Sequence, residues 1–460
     1  VYSKEPHTLE VLFQNRTAHS YDPFDRFPTI GLNFYKPLSF FLTNSQNMIA
    51  LECFISCWLT NCPVIKSYCL FIIKGIKLKD SQATLGNWRL PPYNREAFSK
   101  VREIMPTASI NWNKGLAVVE NNSKNKNLTV KLKENEGMAL DEFLHQTTVD
   151  VFHVSHRGKN IYNWHSQYCS SSTPHIIFSV SKSLTALLIG CAINDGLVTE
   201  ENLVSEIIPE AKGSAFEDAS VRNLLDMSVS SNFIEDYEAT SGIFLDYRQS
   251  TGWNPQDIDD TSHLKSFLLS LKKNTHGHGE KFEYHSTNSD MLGIIIEKCT
   301  GRKYAHYFYE KLMKPLGARD DAYVTLDRMG TSRAAGGICI SANDIMAICE
   351  MVRTFGKNDQ GEQVFPESWI KDILNSESDK RFNLDGHYDI FPEGLYRSKW
   401  YRPYTSQDIL FGLGIHGQWI WIDFEKELSI VCLSSEPKPI IANNIKQMCD
   451  VFNQITKQLA

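Results

Sequence analysis

Apolar residues fall on nearly every face of the segment Ser179–Asp195: Leu184, Ala186, Leu187, Leu188, Ile189, Cys191, Ala192 and Ile193 leave no polar side. A helix that is apolar all round is a buried one, and Gly196 directly after it suits a helix C-terminus. Val149–Ser155 (VDVFHVS) and Asn160–His165 (NIYNWH) carry the runs expected of strands flanking a turn at Arg157-Gly158. The strand pattern returns at Gln418–Asp423 and Glu427–Ser434, joined by Phe424-Glu425-Lys426, a short hairpin connection. Between these two groups, residues 197 to about 330 read as helices joined by polar loops, including Val221–Met227, His263–Lys273 and Ser289–Cys299. Near the start, a Pro91-Pro92 turn precedes a helix predicted over Arg95–Ile104, and Asn121–Lys133, rich in Asn and Lys, predicts a surface loop or hairpin. Strands early, helices in the middle and strands late predict an α+β fold. Its antiparallel sheet is built from both chain ends with flanking helices, a mostly helical lobe is inserted at 197–330, and a cleft lies between the lobes.

Composition narrows the class without naming it. The 460 residues are 42% hydrophobic and 22% charged, ordinary globular usage that excludes a disordered or collagen-like chain. The net charge of −7 provides no basic excess to neutralise phosphates, so nucleic acid is not an expected partner. Eleven cysteines, four of them between Cys53 and Cys69, contain no C-x-x-C pair. Cys191, Cys339 and Cys432 sit in apolar runs and read as small buried hydrophobes rather than as disulfide or zinc ligands. The compact domain is expected over residues 86–460, behind an N-terminal extension at 1–85. That extension opens on Val1 rather than Met, as a fragment or processed product does, and carries Leu9–Gln14 (LEVLFQ), which is similar to a viral-protease site used in recombinant expression. The apolar stretch Met48–Ile73 is interrupted by Glu52, Asn61, Pro63 and Lys66, so any membrane association is expected only through the extension. A cytoplasmic location is the first reading, and a secreted or anchored one the alternative. The sequons at Asn15, Asn121 and Asn127 matter only in the latter case.

Three short patterns carry candidate chemistry. S-x-x-K occurs six times, from Ser123, Ser179, Ser262, Ser270, Ser368 and Ser435, but only Ser179 and Lys182 open a helix that is apolar on all sides. Positions i and i+3 share a face, burial lowers a lysine's pKa towards that of a general base, and a helix N-terminus favours developing negative charge. The same spacing also fits an N-cap serine followed by a snorkelling lysine. Next, Gly279–Ser286 (GEKFEYHS) sets Tyr284 at a loop-to-helix edge, where a tyrosine relays a proton if a lysine lowers its pKa. The alternative is a core tyrosine with a satisfied hydroxyl. Last, Phe411–Gln418 (FGLGIHGQ) matches G-x-G-x-x-G literally, but a strand (QWIWID) follows where a dinucleotide site needs a helix. Its glycines are expected to let a substrate lie close to an edge backbone. The pair His276 and His278 lacks a third ligand at useful spacing and reads as surface loop.

In this order the patterns resemble the serine β-lactamase and penicillin-binding-protein superfamily, most closely its esterase and aminohexanoate-oligomer hydrolase branch. The resemblance spans roughly Trp88–Phe452. It is carried by FSVSKSLTALLIG, RNLLDMSVS (Arg222–Ser230), EKFEYHSTNSDMLG, AAGGICISANDI (Ala334–Ile345) and GIHGQWIWID. It implies a β-lactamase/transpeptidase-like fold and a serine hydrolase that cleaves amide or ester bonds of small molecules through an acyl-enzyme, with no cofactor and no metal. Ser179 is then the nucleophile, and Lys182 with Tyr284 handles the proton. The backbone N–H groups of Ser179 and Gln418 form the oxyanion hole. Tyr237 and Trp253, on a mobile loop that closes over the substrate, join Ser286, Ile415, His416 and Gly417 in binding it. Two departures stand out: Tyr284-His285-Ser286 replaces the frequent Tyr-x-Asn, and Ile415-His416-Gly417 replaces a Lys-Thr-Gly triplet. Ile415 supplies no cation, so recognition of a β-lactam carboxylate is not expected. The alternatives are a catalytically silent binding or scaffolding protein of the same fold, or a β-lactamase or D-peptidase.

Overall fold

The computed structural model describes residues 82–111, 128–133, 136–257, 259–375, 394–403 and 408–459. The protease-like LEVLFQ stretch, the apolar run Met48–Ile73, the cysteines from Cys53 to Cys69 and the three sequon asparagines lie outside them. The strands are β1 (Thr107–Asn111), β2 (Thr129–Lys133), β3 (Glu136–Ala139), β4 (Val149–His156), β5 (Lys159–His165), β6 (His175–Ile176), β7 (Ala322–Thr325), β8 (Ile338–Ile340), β9 (Leu395–Arg397), β10 (Trp400–Arg402), β11 (Ile409–Gly414), β12 (Gln418–Asp423) and β13 (Leu428–Ser434). The helices that matter for the site and its support are α1 (Val180–Asn194), α2 (Ile243–Ser250), α3 (Ser286–Thr300), α4 (Ala342–Arg353), α5 (Glu367–Asn375) and α6 (Ala442–Leu459).

The principal sheet has seven antiparallel strands in the order β5-β4-β13-β12-β11-β10-β9. The pairing of β13 with β4, from Leu428 opposite His156 to Ser434 opposite Val149, joins the late strands to the early ones. Both chain ends therefore build one sheet, as the strand pattern predicts. Period-two alternation divides its side chains between two cores. Val151, Ile420, Ile422, Val431 and Leu433 face the core that contains α1 and α4. Phe152, Val154, Trp419, Trp421, Ile430 and Cys432 face a second core, where α6 contributes Ile445, Met448, Val451, Phe452 and Ile455. Among the described residues no helix is long and apolar enough to cross a membrane.

Helix α1 is buried from Val180 to Ala192, which is why its sequence has no polar face. Gly190 lets α5 approach: a Cβ there would lie 2.8 Å from the Trp369 ring. Overpacking costs roughly 1–3 kcal/mol, against a few tenths gained in helix propensity. Gly190→Val is therefore expected to lower stability by about 2 kcal/mol, measured as a lower urea midpoint at constant slope. An unchanged midpoint would contradict the close packing.

One sequence expectation needs correcting and two gain detail. The helix over Arg95–Ile104 is instead one short helix, Asn94–Ala97, and a 3-10 turn, Val101–Glu103, because the backbone leaves helical geometry at Lys100 (φ −127°, ψ 26°). The mostly helical span 197–330 also holds β7, which belongs to a second sheet, ordered β1-β7-β8-β6, that the periodicity did not reveal. Finally, Gly412 and Gly414 of FGLGIHGQ lie on β11, which pairs with β12 along its length and with β10 only at Phe411. Both also permit close packing. A Cβ on Gly414 would sit 2.7 Å from the Ile177 carbonyl, and one on Gly412 would sit 3.1 Å from Ser183 Oγ. From Asn121–Lys133, the described part is β2, which forms a hairpin with β3.

Candidate active site

The chain passes from β6 into α1 through Ile177, Phe178 and Ser179, and the φ of +41° at Phe178 lies in the left-handed region. A non-glycine residue stays there only when its surroundings enforce it. Here the rings of Trp88, Phe98 and Trp253 surround Phe178 at centroid distances of 5.0–6.1 Å, and Ile177 N–H donates to the Ile338 carbonyl at 3.0 Å. Ser179 emerges from this turn already helical (φ −67°, ψ −11°), and its side chain caps nothing. That geometry removes the N-cap alternative. Lys182 is 1% exposed, so it does not snorkel either.

Lys182 Nζ lies 2.8 Å from Ser179 Oγ and donates to the Ala335 carbonyl at 2.9 Å. Ala335 is held in turn by α3, where buried Asp290 accepts its N–H at 2.8 Å. The other Asp290 oxygen accepts from Tyr247 at 2.6 Å and pairs with Arg333. Burial pushes the Lys182 ammonium down to about 8; Arg333 adds to that fall, while Glu235 and Asp290 oppose it.

Tyr284 is hydrogen-bonded to Ser179 and to Tyr401 through its side chain, and its ring centroid is 5.1 Å from Lys182 Nζ. Burial, then Tyr401 and Glu235, holds its hydroxyl well above the ordinary tyrosine value. This reverses the expectation that a lysine lowers it. Tyr401 comes from β10, and β9 sets Tyr396 against the Tyr284 ring, so both tyrosines that crowd Tyr284 arrive from far along the chain. A phenol kept neutral in this way donates a hydrogen bond rather than acting as a phenolate.

The pocket at Ser179 is lined by Tyr237, Trp253, Ser286 and Ile415 from the sequence-predicted set, together with Glu235, Arg89, Arg248 and Arg333. Glu235 organises one wall by accepting from Ser286 Oγ and Tyr237 Oη, each at 2.6 Å, and from the Ser286 N–H. Trp253 forms another wall. It is 3% exposed, donates from Nε1 to Thr325 Oγ1 at 3.0 Å and packs edge-on to Trp88. In this structure it is therefore a core-anchored wall rather than part of an open loop. The free space at Ser179 is about 20 Å³, room for roughly one water. It adjoins an outer cavity of about 470 Å³, whose walls share Arg89, Tyr237, Arg248 and Ile415.

Three further residues of the predicted set do not line the space at Ser179. His416 lines the outer cavity; it is buried and contacts the Glu436 carbonyl through Nδ1 at 2.7 Å, and burial pushes its imidazole down to about 4. Gly417 occupies a tight turn at φ +84°, where a Cβ would meet Ser434 Cβ at 2.9 Å. Gln418 is buried and braces that turn, donating from Nε2 to the Ser434 carbonyl at 2.7 Å and accepting the Ser434 N–H at 3.2 Å. It does not line the pocket. Ile415 does, and the N–H groups of Ser179 and Ile415 have no hydrogen-bond acceptor among the described residues.

Sequence reasoning missed six charged groups here: Glu235, the paired Asp290 and Arg333, Lys399, Arg89 and Arg248. Asp290 had a signal, a carboxylate inside an apolar helix. Lys399 had none. It is fully buried in the turn between β9 and β10, 3.0 Å from Met227 Sδ, and burial together with Lys182 holds its ammonium well below the ordinary value. Ile415 is uncharged as expected, yet the two arginines make the pocket wall cationic. His276 and His278 point apart, to Glu283 at 3.1 Å and Asp218 at 3.0 Å, and Cys191, Cys339 and Cys432 are buried free thiols.

Comparison with known proteins gives the site a context. Residues 139–443 match the family model described as Beta-lactamase. A 6-aminohexanoate-dimer hydrolase of Paenarthrobacter ureafaciens is 30% identical over 358 residues, covering 78% of this chain and 89% of that protein. Among solved structures, a Bacillus anthracis protein provisionally assigned as a 6-aminohexanoate-dimer hydrolase superposes with a TM-score of 0.73 at 22% identity, covering 83% of this chain and 98% of the other. The octameric penicillin-binding protein homologue of Pyrococcus abyssi superposes at 0.53 and 20% identity, covering 68% and 75%.

Proposed function

The chain belongs to the beta-lactamase family and is a serine hydrolase of amide or ester bonds; from that footing we propose that it acts through a Ser179–Lys182–Tyr284 mechanism on small-molecule substrates. The observation that carries this reading is the contact of one serine oxygen with both a buried amine and a neutral phenol. Ser179 Oγ attacks the carbonyl carbon while the neutral Lys182 amine takes its proton. The Ala335 carbonyl accepts one amine N–H, which leaves the nitrogen lone pair free to face the hydroxyl. Negative charge then develops on the substrate oxygen. The N–H groups of Ser179 and Ile415 are the donors available for it, and losing one such donor typically costs ~10²–10³ in rate. When the tetrahedral intermediate collapses, the carbon–heteroatom bond breaks, and the Lys182 proton passes through the Tyr284 hydroxyl to the leaving amine or alkoxide. Water attacks the acyl-enzyme by the same groups in reverse, which returns Ser179 and releases the acid.

The relative's named compound, a 6-aminohexanoate dimer, places linear amides beside short esters in the first substrate panel. A fluorophosphonate probe tests the nucleophile directly. Peptide mapping should find it on Ser179 in the unmodified protein and nowhere in Ser179→Ala, and an inert unmodified protein would overturn the reading. Tyr284→Phe is expected to lower kcat/KM by about 10²–10⁴-fold on an amide. The loss should be smaller on a nitrophenyl ester, whose leaving group needs no proton. Equal losses on both substrates would remove Tyr284 from the proton path.

A further inference from the structure

Arg89 and Arg248 line both the Ser179 pocket and the outer cavity beside it. Neither makes an ion pair among the described residues. Arg89 donates to Asn254 Oδ1 at 2.5 Å and lies over the Trp88 ring, 5.5 Å from its centroid. Arg248 donates to the Ala239 carbonyl, and its Nε is buried without a hydrogen-bond partner. Arg333, the third guanidinium of the pocket, differs in being paired with Asp290. Burial and the positive charges of Arg248 and Arg333 push Arg89 down to about 9. Half-buried like charges are costly to hold together without an anion between them. The nearby carboxylates fill that role only in part: Glu235 is engaged by Tyr237 and Ser286, and Asp236, which favours the Arg248 charge, is exposed, as is Glu238.

We propose that Arg89 and Arg248 form a carboxylate subsite, so that the substrate is a small amide or ester carrying a carboxylate on the part that occupies the outer cavity. The proposal rests on the hydrolase reading above and names its substrate class. Guanidinium forks match a carboxylate in two parallel hydrogen bonds, and the wall's surplus of positive charge suits a monoanion. A dianion would bring a second negative charge against Glu235 and Glu238.

Calorimetry on the Ser179→Ala protein separates binding from turnover. The probes are N-butylglutaramic acid and its neutral carboxamide, N-butylglutaramide, which differ only in the charged end. The acid is expected to bind at least roughly tenfold tighter, the size of one charge-assisted hydrogen bond. Adding Arg248→Gln or Arg89→Gln should reduce that ratio towards one, and Arg248→Lys should restore part of it. The two single variants guard against one that fails to fold. Equal binding of acid and carboxamide, or a ratio untouched by both arginine variants, overturns the proposal, as does inorganic phosphate that binds more tightly than the acid. Nitrophenyl butyrate turnover by the unmodified protein is measured in parallel. Its absence, with the acid preference intact, would count against the hydrolase mechanism and not against the subsite.

Discussion

Ser179→Ala should lose turnover by about 10⁶-fold, as removal of a serine nucleophile does where base and nucleophile act as a unit, while the fold survives. The side chain removed caps no backbone group of α1, so the usual cost of a lost cap does not apply. What disappears is the contact with Lys182 Nζ and the bond to Tyr284. Lys182 keeps the Ala335 carbonyl and Tyr284 keeps Tyr401, so neither is left bare in an apolar site. A net hydrogen bond contributes ~0.5–1.5 kcal/mol, and the expected stability change is below about 2 kcal/mol. Steady-state rates on a nitrophenyl ester and a urea unfolding curve, taken on the same preparation, make the check. A variant that retained unmodified activity would exclude Ser179 as the nucleophile. A lost fold would show instead that the Phe178 turn depends on the serine hydroxyl.

Much of this arrangement was legible because its causes are local. Helix α1 is apolar on all sides because it is surrounded, and the strands QWIWID and LSIVCLS alternate because each residue faces one of two cores. The i, i+3 spacing of Ser179 and Lys182 follows from the helix itself. What periodicity could not show depends on groups brought together from far apart. Arg89 precedes the first helix and Arg248 lies in the last turn of α2, yet they share a wall. Lys399 reaches the site from a hairpin turn, and the tyrosines that raise Tyr284 come from the same late strands. Gln418 does not line the pocket for a related reason. His416 at φ +61° and Gly417 at φ +84° reverse the chain, so Ile415 faces the pocket while Gln418 turns into the sheet. The second sheet escaped notice because its strands are two to five residues long, too short to carry a period.

Lys182→Arg and Lys182→Met should both be inactive, by at least about 10²–10⁴-fold, but for different reasons and with opposite effects on stability. A guanidinium stays protonated near neutral pH and cannot accept the Ser179 proton, and its larger head must fit a space of about 20 Å³. Methionine fills the amine's volume without a charge. With lysine present, the amine titrates near 8, so at pH 7 only about a tenth of it is neutral. Activity should fall about tenfold per pH unit below that value and level off above it, while Tyr284, raised well above the ordinary tyrosine value, adds no second limb in this range. Stability carries the same signature. Because the folded value lies below the unfolded 10.5, the unfolded chain binds the extra proton between about 8 and 10.5, and stability rises with pH across that window. Below it the folded protein bears the whole cost of a buried ammonium. Lys182→Met removes this cost and should be more stable than the unmodified protein at pH 7, with a flatter rise through the alkaline window. Lys399, held low by burial and by Lys182, adds a slope of its own and is relieved in part when Lys182 is removed, so the difference between the two curves reports the coupled pair of lysines. Rate profiles and urea midpoints from pH 6 to 10 read both effects. A flat rate profile, an active arginine variant or a methionine variant less stable at pH 7 would each contradict a buried neutral amine as the base.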